Sequence, residues 1–377
     1  MNKLISAIIA LAIVGLMALG YTSTMHHRAH SNGEEAAIDP KEVIFDHLGD
    51  AYGWEVPFDH SSRIPLPIIV KGANGWHVFS SARVTNGGTC EGFYMAKEGD
   101  YKGRVVEMVN GAEVRPLDFS ITKNVAGIFI SAVIVLCMML SLKRWYKNQG
   151  FKAPRGFKGM LEVTVNYVYN DTIRPILGKD APRYAPYLLT AFFLILTMNL
   201  MGLMVVFPGG ANITGNLAVT MVMALCTFAI TTFTGNREYW KEIFWPDVPL
   251  ALKFPIPMMP LIEILGMFTK PIALMIRLFA NMLGGHMVVI VLVLLIFIFS
   301  TMFGLAMGAV TSLFSVLFAL FMLALDTLVS FIQAYVFTIL STIFISMAHP
   351  VHHHAAAQEY FIQQNNNNNN LNSLKLC

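Results

Sequence analysis

The chain has 377 residues, of which 55 % are hydrophobic and 13 % charged, with a formal net charge of +3. Soluble domains carry about 25 % charged residues, and several apolar stretches here exceed the roughly 20 residues that cross a bilayer, so the composition excludes an ordinary aqueous fold and points to a polytopic membrane protein. The densest basic block (Lys143, Arg144, Lys147, Lys152, Arg155, Lys158) directly follows an apolar stretch, which marks the cytoplasmic side of a membrane span rather than a nucleic-acid surface.

Residues 1–20 begin with Lys3 and continue as LISAIIALAIVGLMALG. This pattern is expected to be a signal peptide with a cleavage site near Ala18-Leu19-Gly20, or else an uncleaved anchor. Either way the segment after it, residues 21–122, is expected to be an extracytoplasmic domain. Its short runs IPLPIIVKG, WHVFSSARV, GFYMAKEG and GRVVEMVNG are of strand length and separated by Gly and Asn, which predicts a small β-rich fold. No motif in it names an activity. His26, His27 and His30 are read as part of a solvated segment rather than a metal site. Cys90, Cys137, Cys226 and Cys377 form no close pair, so neither a disulfide framework nor a metal site is expected.

The membrane part is expected over residues 123–348. A first span, 123–142, runs outside to inside because the basic block follows it. Residues 156–178 read as an interfacial amphipathic helix, with Leu161, Val165, Val168 and Tyr169 on one face and Arg174 and Lys179 near its end. Spans at 185–207 and 216–234 follow, joined by a turn at Pro208-Gly209-Gly210. The loop 235–254, with Arg237, Lys241 and Lys253, belongs in the cytoplasm. Two very long apolar segments, 258–301 and 309–347, are separated around Gly304 and Gly308. Each is either a hairpin or one strongly tilted helix. Neither contains a polar turn, which favours tilted helices that need a large protein neighbour. The fold class is thus all-α: five transmembrane helices plus an interfacial helix, with the β-rich domain outside. The tail 349–377 holds His349, His352 to His354 and six asparagines, Asn365 to Asn370. This composition predicts a disordered cytoplasmic tail.

From Pro255 to Ala348 only four side chains are formally charged: Glu263, Lys270, Arg277 and Asp326. A charge at membrane depth costs about 2.5–3.5 kcal/mol on insertion scales, which marks such residues as functional candidates. Glu263, Lys270, Arg277 and Gly284 recur every seven residues, nearly two helical turns, and so share one stripe. Asn281 joins that face, and His286 lies beyond it. On the second long segment, Asp326, Ser330 and Gln333 share a face. Packing the two polar faces would bring Gln333 toward Arg277 and Asp326 toward His286. Histidine titrates near neutrality, and intramembrane proton relays are built from such Asp, Glu and His chains. Each residue also has a structural reading: an arginine capped by carbonyls, an interhelical glutamine, a static Asp–His pair, an interfacial Glu263–Lys270 pair.

The segment KPIALMIRLFANMLGGH, with FIQAYVFTIL downstream, resembles the a subunit of bacterial F-type rotary ATP synthases. The resemblance covers about residues 123–348. It implies that Arg277 is the family's arginine, Asn281 its following asparagine and Gln333 its partner glutamine, with Glu263 and Lys270 at the polar positions upstream. His286 and Asp326 match relatives in which an acid and an imidazole are exchanged between two neighbouring places. The loop from Pro208 to Gly215 lacks a carboxylate that several relatives carry there, leaving Asn199, Asn212, Asn216 or Thr220 as polar access.

The resemblance further implies a stator channel subunit of the inner membrane, with two proton half-channels and Arg277 facing a rotating ring of carboxylate-bearing small subunits. His286 and Asp326 would serve the extracytoplasmic half-channel, and Glu263 and Lys270 the cytoplasmic side. Further implied partners are a peripheral-stalk membrane subunit and the remaining ATP synthase complex. ATP chemistry would lie elsewhere, since no phosphate-cradling Gly-rich motif is present, and no cofactor or metal is expected. The competing readings are a stand-alone secondary transporter with an Arg–Asp site, which ordinarily shows internal repeats, and a receptor-like protein whose ligand domain is the N-terminal region.

Overall fold

The computed structural model describes residues 49–349, apart from 57–58, 73–74, 86–87, 97–100, 102, 110–111, 151, 205–209 and 245–257. The expectations for residues 1–20, for His26, His27 and His30, for the Pro208-Gly209 turn and for the tail beyond His349 fall outside the described residues.

Among the described residues, eight short strands precede the first long helix: β1 (Gly53–Val56), β2 (Asp59–Pro65), β3 (Pro67–Gly72), β4 (Gly75–Ser80), β5 (Phe93–Met95), β6 (Val105–Val109), β7 (Ala112–Val114) and β8 (Leu117–Asp118). They form an antiparallel β1–β2 pair and two three-stranded sheets ordered β4–β3–β8 and β5–β6–β7. The four expected runs contain β3, β4, β5 and β6. The end of the second run instead coils into one helical turn, Ala82–Thr85. The other four strands are carried by polar or very short sequences whose alternation is too weak to announce them. Alternate residues of β3, Ile68 and Val70, are fully buried and pack with Tyr52, Phe79, Val84, Phe93 and Val105. Gly72 allows a close approach here, because a Cβ would sit 2.6 Å from both Glu107 Oε2 and Phe93 Cζ. The buried Tyr52 hydroxyl donates to the Asp118 carboxylate.

The chain passes from β8 into α1 (Lys123–Gln149). Thr122 caps it by accepting from Val125 N, and Gly150, at φ 62°, ends it by donating to Tyr146 O. The helix outruns the expected 123–142 because the basic block continues it into solvent. Gly127, Ser131 and Val135 form its buried stripe, whereas Phe129, Val133, Leu136 and Leu140 are exposed. That one-sided burial suits a helix whose outer face meets lipid. Ser131 Oγ bonds Gly127 O (2.8 Å) and Met201 Sδ (3.2 Å).

The expected interfacial helix begins with α2 (Phe157–Asn166) and then widens into a π-helical stretch, Tyr167–Ile173. A short turn, Arg174–Leu177, and a 3₁₀ turn, Gly178–Asp180, join it to α3 (Ala181–Leu203). Of the face expected to hold Leu161, Val165, Val168 and Tyr169, Leu161 and Val168 are buried and Val165 and Tyr169 half-buried, with Ile173 and Leu177 buried as well, while Arg174 and Lys179 are exposed. α3 starts four residues before the expected 185, with Pro182 in its first turn, where a missing N–H costs least, and Pro186 inside the helix. α4 (Leu217–Thr234) matches the expected span. The segment 235–254, expected as a loop, contains a two-turn helix α5 (Arg237–Phe244), whose charged side faces solvent and whose Ile243 is buried.

The two long apolar segments are α6 (Met258–Phe303, 46 residues) and α7 (Leu305–Ala348, 44 residues). Neither is a hairpin. Each is about 65–70 Å long at 1.5 Å per residue, more than twice the ~30 Å hydrocarbon thickness. Gly304 alone separates them, at φ 86°. Gly308 lies inside α7 rather than in the break. Among the described residues, five helical stretches are long and apolar enough to cross a membrane: Lys123–Gln149, Phe157–Leu203, Leu217–Thr234, Leu261–Phe303 and Met307–Ala348.

The described chain forms two compact units. The first gathers residues up to Glu162 with Thr190–Thr220 and Ile276–Val336. The second gathers Val163–Leu189, Met221–Met275 and the chain from Phe337.

Candidate functional site

Within the first unit, α3, α6 and α7 enclose a small polar cavity. Asn199 on α3, Asn281 and His286 on α6, and Asp326, Ser330 and Gln333 on α7 line it, with Leu278, Met282 and Gly285 completing the wall. Four of the seven expected site residues therefore share one cavity: Asn281, His286, Asp326 and Gln333. Their helices explain why. Asn281, Met282, Gly285 and His286 recur at three- and four-residue steps along one face of α6, as Asp326, Ser330 and Gln333 do on α7.

Glycines set the fit. A Cβ on Gly285 would lie 2.6 Å from Asp326 Oδ2 and 2.7 Å from Oδ1, so only glycine lets the α7 carboxylate lie against the α6 backbone. A Cβ on Gly202 would collide with Met282 and lie 3.5 Å from His286 Nε2, so the imidazole reaches the α3 backbone in the same way. Gln333 is 6 % exposed and Asn199 2 % exposed. Asn199 Oδ1 accepts the Thr214 hydroxyl at 2.7 Å. Ser330 turns its hydroxyl back to Asp326 O at 2.7 Å, leaving that carbonyl's helix satisfied without neutralising the carboxylate.

Arg277 is not a lining residue of this cavity. It is exposed, and Ala280, Gly284, Val288 and Val291 continue the same exposed stripe of α6. At 100° per residue, Arg277 stands about 40° from Asn281 and on the far side of the helix from His286. The guanidinium thus lies at the margin of the polar face, and Gln333 lies inside it. Gly284 has open space where a Cβ would go, which leaves that stripe able to admit another helix closely.

The second unit has its own small cavity, mostly apolar, with a few polar groups. Lys270 lines it with Thr227 and Thr231 of α4, Tyr239 of α5 and Phe344 of α7. The Lys270 ammonium stands 5.8 Å from the Phe344 ring centre, a cation–π distance. Thr227 exchanges hydrogen bonds with Tyr187 (2.8 Å) and Ser341 (3.3 Å). Burial, and then the Glu263 carboxylate, push the Tyr239 phenol up from its ordinary value. Glu263 is half-buried and does not line the cavity.

The sequence undervalued Asn199 and gave no notice of Thr214, Thr227, Thr231 or Tyr239. The four-residue step from Thr227 to Thr231 in an apolar helix was the available signal. Among the described residues no group of three His, Cys, Asp or Glu side chains could hold a metal. Cys90, Cys137 and Cys226 are free thiols.

The family model for the ATP synthase A chain matches residues 125–346. A second model, described as a domain of unknown function, matches residues 43–119. The ATP synthase subunit a of Chloroherpeton thalassium is 39 % identical over 242 residues, covering 63 % of this chain and 68 % of the relative. ATP synthase subunit a 2 of Chlorobaculum tepidum is 39 % identical over 242 residues, 63 % of this chain and 65 % of the relative. The Myxococcus xanthus ATP synthase subunit a is 42 % identical over 240 residues, 62 % of this chain and 74 % of the relative. With more than half of its length matched by that model and with these relatives, the chain belongs to the ATP synthase A chain family.

Proposed function

We propose that this chain is the non-catalytic stator channel subunit of a proton-transporting rotary ATP synthase in a bacterial inner membrane. Two proton half-channels end near its long helices without meeting, and Arg277 faces a rotating ring of small subunits that each carry one membrane-embedded carboxylate. The observation that carries this reading is the separation of roles on α6. One face closes a cavity with Asn281, His286, Asp326 and Gln333, while Arg277 stands on an exposed stripe of small and apolar residues.

The physics follows from that division. Arginine keeps its charge even when poorly hydrated. A fixed guanidinium attracts a deprotonated ring carboxylate, favours discharge of an arriving protonated one, and repels a proton that would hop straight across. Protons must then ride the ring. Gly284 and Ala280 let a ring helix approach the α6 backbone beside Arg277. His286 and Asp326 form an imidazole–carboxylate couple that holds and passes protons on the extracytoplasmic side. Asn281 and Gln333 orient the arginine and bridge it to the couple. Lys270 and Glu263, with Thr227, Thr231 and Tyr239, make the cytoplasmic side polar enough to hydrate. One charge crossing 100 mV yields about 2.3 kcal/mol, so several protons drive each ATP made in the catalytic sector.

In this account residues 21–122 lie outside the cytoplasm, residues 123–348 form the channel domain, and residues from 349 lie in the cytoplasm. The helices α6 and α7 lie strongly tilted against the ring. A peripheral-stalk membrane subunit and the rest of the complex complete the assembly.

Arg277→Ala in membrane vesicles carrying the assembled complex tests the reading. ATP-driven acidification is expected to fall to background with normal recovery of ring and stalk subunits. Normal acidification would refute it and return attention to a transporter with an Arg–Asp site.

A further inference from the structure

The cavity around Asp326 needs a route to the outer aqueous phase, and the polar groups behind Asn199 lead away from it in a line. Asn199 Oδ1 accepts from Thr214 Oγ1 at 2.7 Å. Two residues before Thr214, Asn212 uses Oδ1 to accept Gly215 N at 3.0 Å. Ala211 and Ile213, on either side of Asn212, are the residues that a Cβ on Gly127 would meet, at 3.6 Å and 2.6 Å. One turn before Gly127 stands Asn124, whose backbone N–H bonds Asp50 Oδ1 at 3.2 Å, and the neighbouring Lys123 N bonds Ala51 O at 2.9 Å. The line therefore ends on the N-terminal domain, at a carboxylate.

Two members of this line have unmet polar atoms. Asn212 Nδ2 and Asn124 Oδ1 are buried and have no hydrogen-bond partner among the described residues. Asn212 is 8 % exposed and Asn124 is 4 % exposed. One is a donor and the other an acceptor, within a turn of the same helix–loop contact. Buried amides of this kind are ordinarily satisfied by water.

We propose that Asp50, Asn124 and Asn212 form the hydrated outer mouth of the proton path to His286 and Asp326. Asp50 of the N-terminal domain then supplies the carboxylate that the segment Pro208 to Gly215 lacks. This inference rests on the proton-channel reading above and gives the N-terminal domain a part in it. Water held by the two amides joins the Asp50 carboxylate to Thr214 and Asn199, and so to the cavity. Asp50 acts as a proton collector at the mouth, a positioning and supply role rather than a coupling one.

The test uses the assembled complex in liposomes, with Cys90, Cys137, Cys226 and Cys377 changed to serine and Asn212→Cys introduced. A membrane-impermeant thiol reagent is applied from the extracytoplasmic side while proton flux is recorded. Reaction that blocks most of the flux is expected. In parallel, Asp50→Asn is expected to lower ATP synthesis several-fold when external protons are scarce and much less when they are abundant, with Asp50→Glu restoring the rate. An unreactive Asn212→Cys, labelling without loss of flux, or an Asp50→Asn variant of normal rate at every proton concentration would overturn the inference. Arg277→Ala, measured alongside, separates the two failures. If it pumps normally, the channel reading itself fails; if it is inactive while the Asp50 and Asn212 variants are silent, only the outer mouth is lost.

Discussion

The two cavities are built from different chemistry. The cavity of the first unit holds a carboxylate, an imidazole and three amides, with Asp326 pressed against the backbone at Gly285. The cavity of the second unit holds one ammonium and three hydroxyls in a wall otherwise of apolar residues such as Met267 and Leu274, with no carboxylate among its described lining residues. The first can accept and release a proton on named atoms. The second can hold water and repel stray cations, and it has no obvious relay. Under the proposed channel function the two half-channels need not be mirror images: one would move protons through side chains and the other through hydration.

Substitutions in the two cavities should therefore differ in size of effect. Asp326→Asn keeps the shape and removes the titrating group. It is expected to reduce ATP-driven pumping by about 10²-fold, the range for loss of one proton-transfer group, with assembly intact by subunit recovery. His286→Ala should fall in the same range. The exchanged double variant, His286→Asp with Asp326→His, should recover more activity than the product of the single losses, because it keeps the couple.

Next in size is Gly285→Ala. The added methyl meets both Asp326 carboxylate oxygens, and overpacking of this kind costs about 1–3 kcal/mol. Pumping should drop several-fold while Gly266→Ala, where a Cβ meets nothing within 4 Å, leaves it unchanged. Equal behaviour of the two variants would show that the fit at Asp326 is unimportant.

Lys270→Ala should have a smaller effect, under about 10-fold. The cation–π contact it removes is worth about 0.5–1 kcal/mol at exposed sites, and water can take the place of the ammonium. A loss as large as that of Asp326→Asn would mean that the second cavity also relays protons through side chains.

The smallest effect on pumping is expected in the N-terminal domain. Burial, and after it the hydrogen bond to Asp118, push the Tyr52 phenol up to about 12 from 10.0. The folded state thus holds this proton more tightly than the unfolded chain. The stabilisation is fully present below pH 10 and is lost as pH rises from about 10 to 12. Thermal unfolding of the full chain, followed by a probe in this domain, should weaken across that window. Tyr52→Phe should remove that dependence.

Much of this was legible in the sequence, for identifiable reasons. The apolar runs of α1, α4, α6 and α7 exceed a bilayer's thickness, so their existence needed no tertiary information. The four-residue step from Arg277 to Asn281 and the seven-residue step from Asp326 to Gln333 placed polar residues on one face of each long helix, with His286 beyond Asn281. Other features depended on contacts between distant segments. Arg277 shares the heptad stripe with Glu263 and Lys270, yet only packing shows that it stands outside the cavity that Gln333 enters. Tyr239 joins Lys270 through a helix that a charge-based reading took for a loop. The ties of Asp50 and Ala51 to the head of α1 link chain positions more than 70 residues apart, beyond any local periodicity. Strands β7 and β8 are too short to carry an alternation of their own.

In the proposed mechanism Arg277 is the barrier between two proton paths. The most direct measurement is passive proton conductance of membranes stripped of the catalytic sector, compared for the wild type, Arg277→Lys and Arg277→Ala. The account predicts that Arg277→Ala, fully assembled with its ring, leaks protons faster than the wild type, with Arg277→Lys between them. Conductance indistinguishable from the wild type in a fully assembled Arg277→Ala complex would contradict the claim.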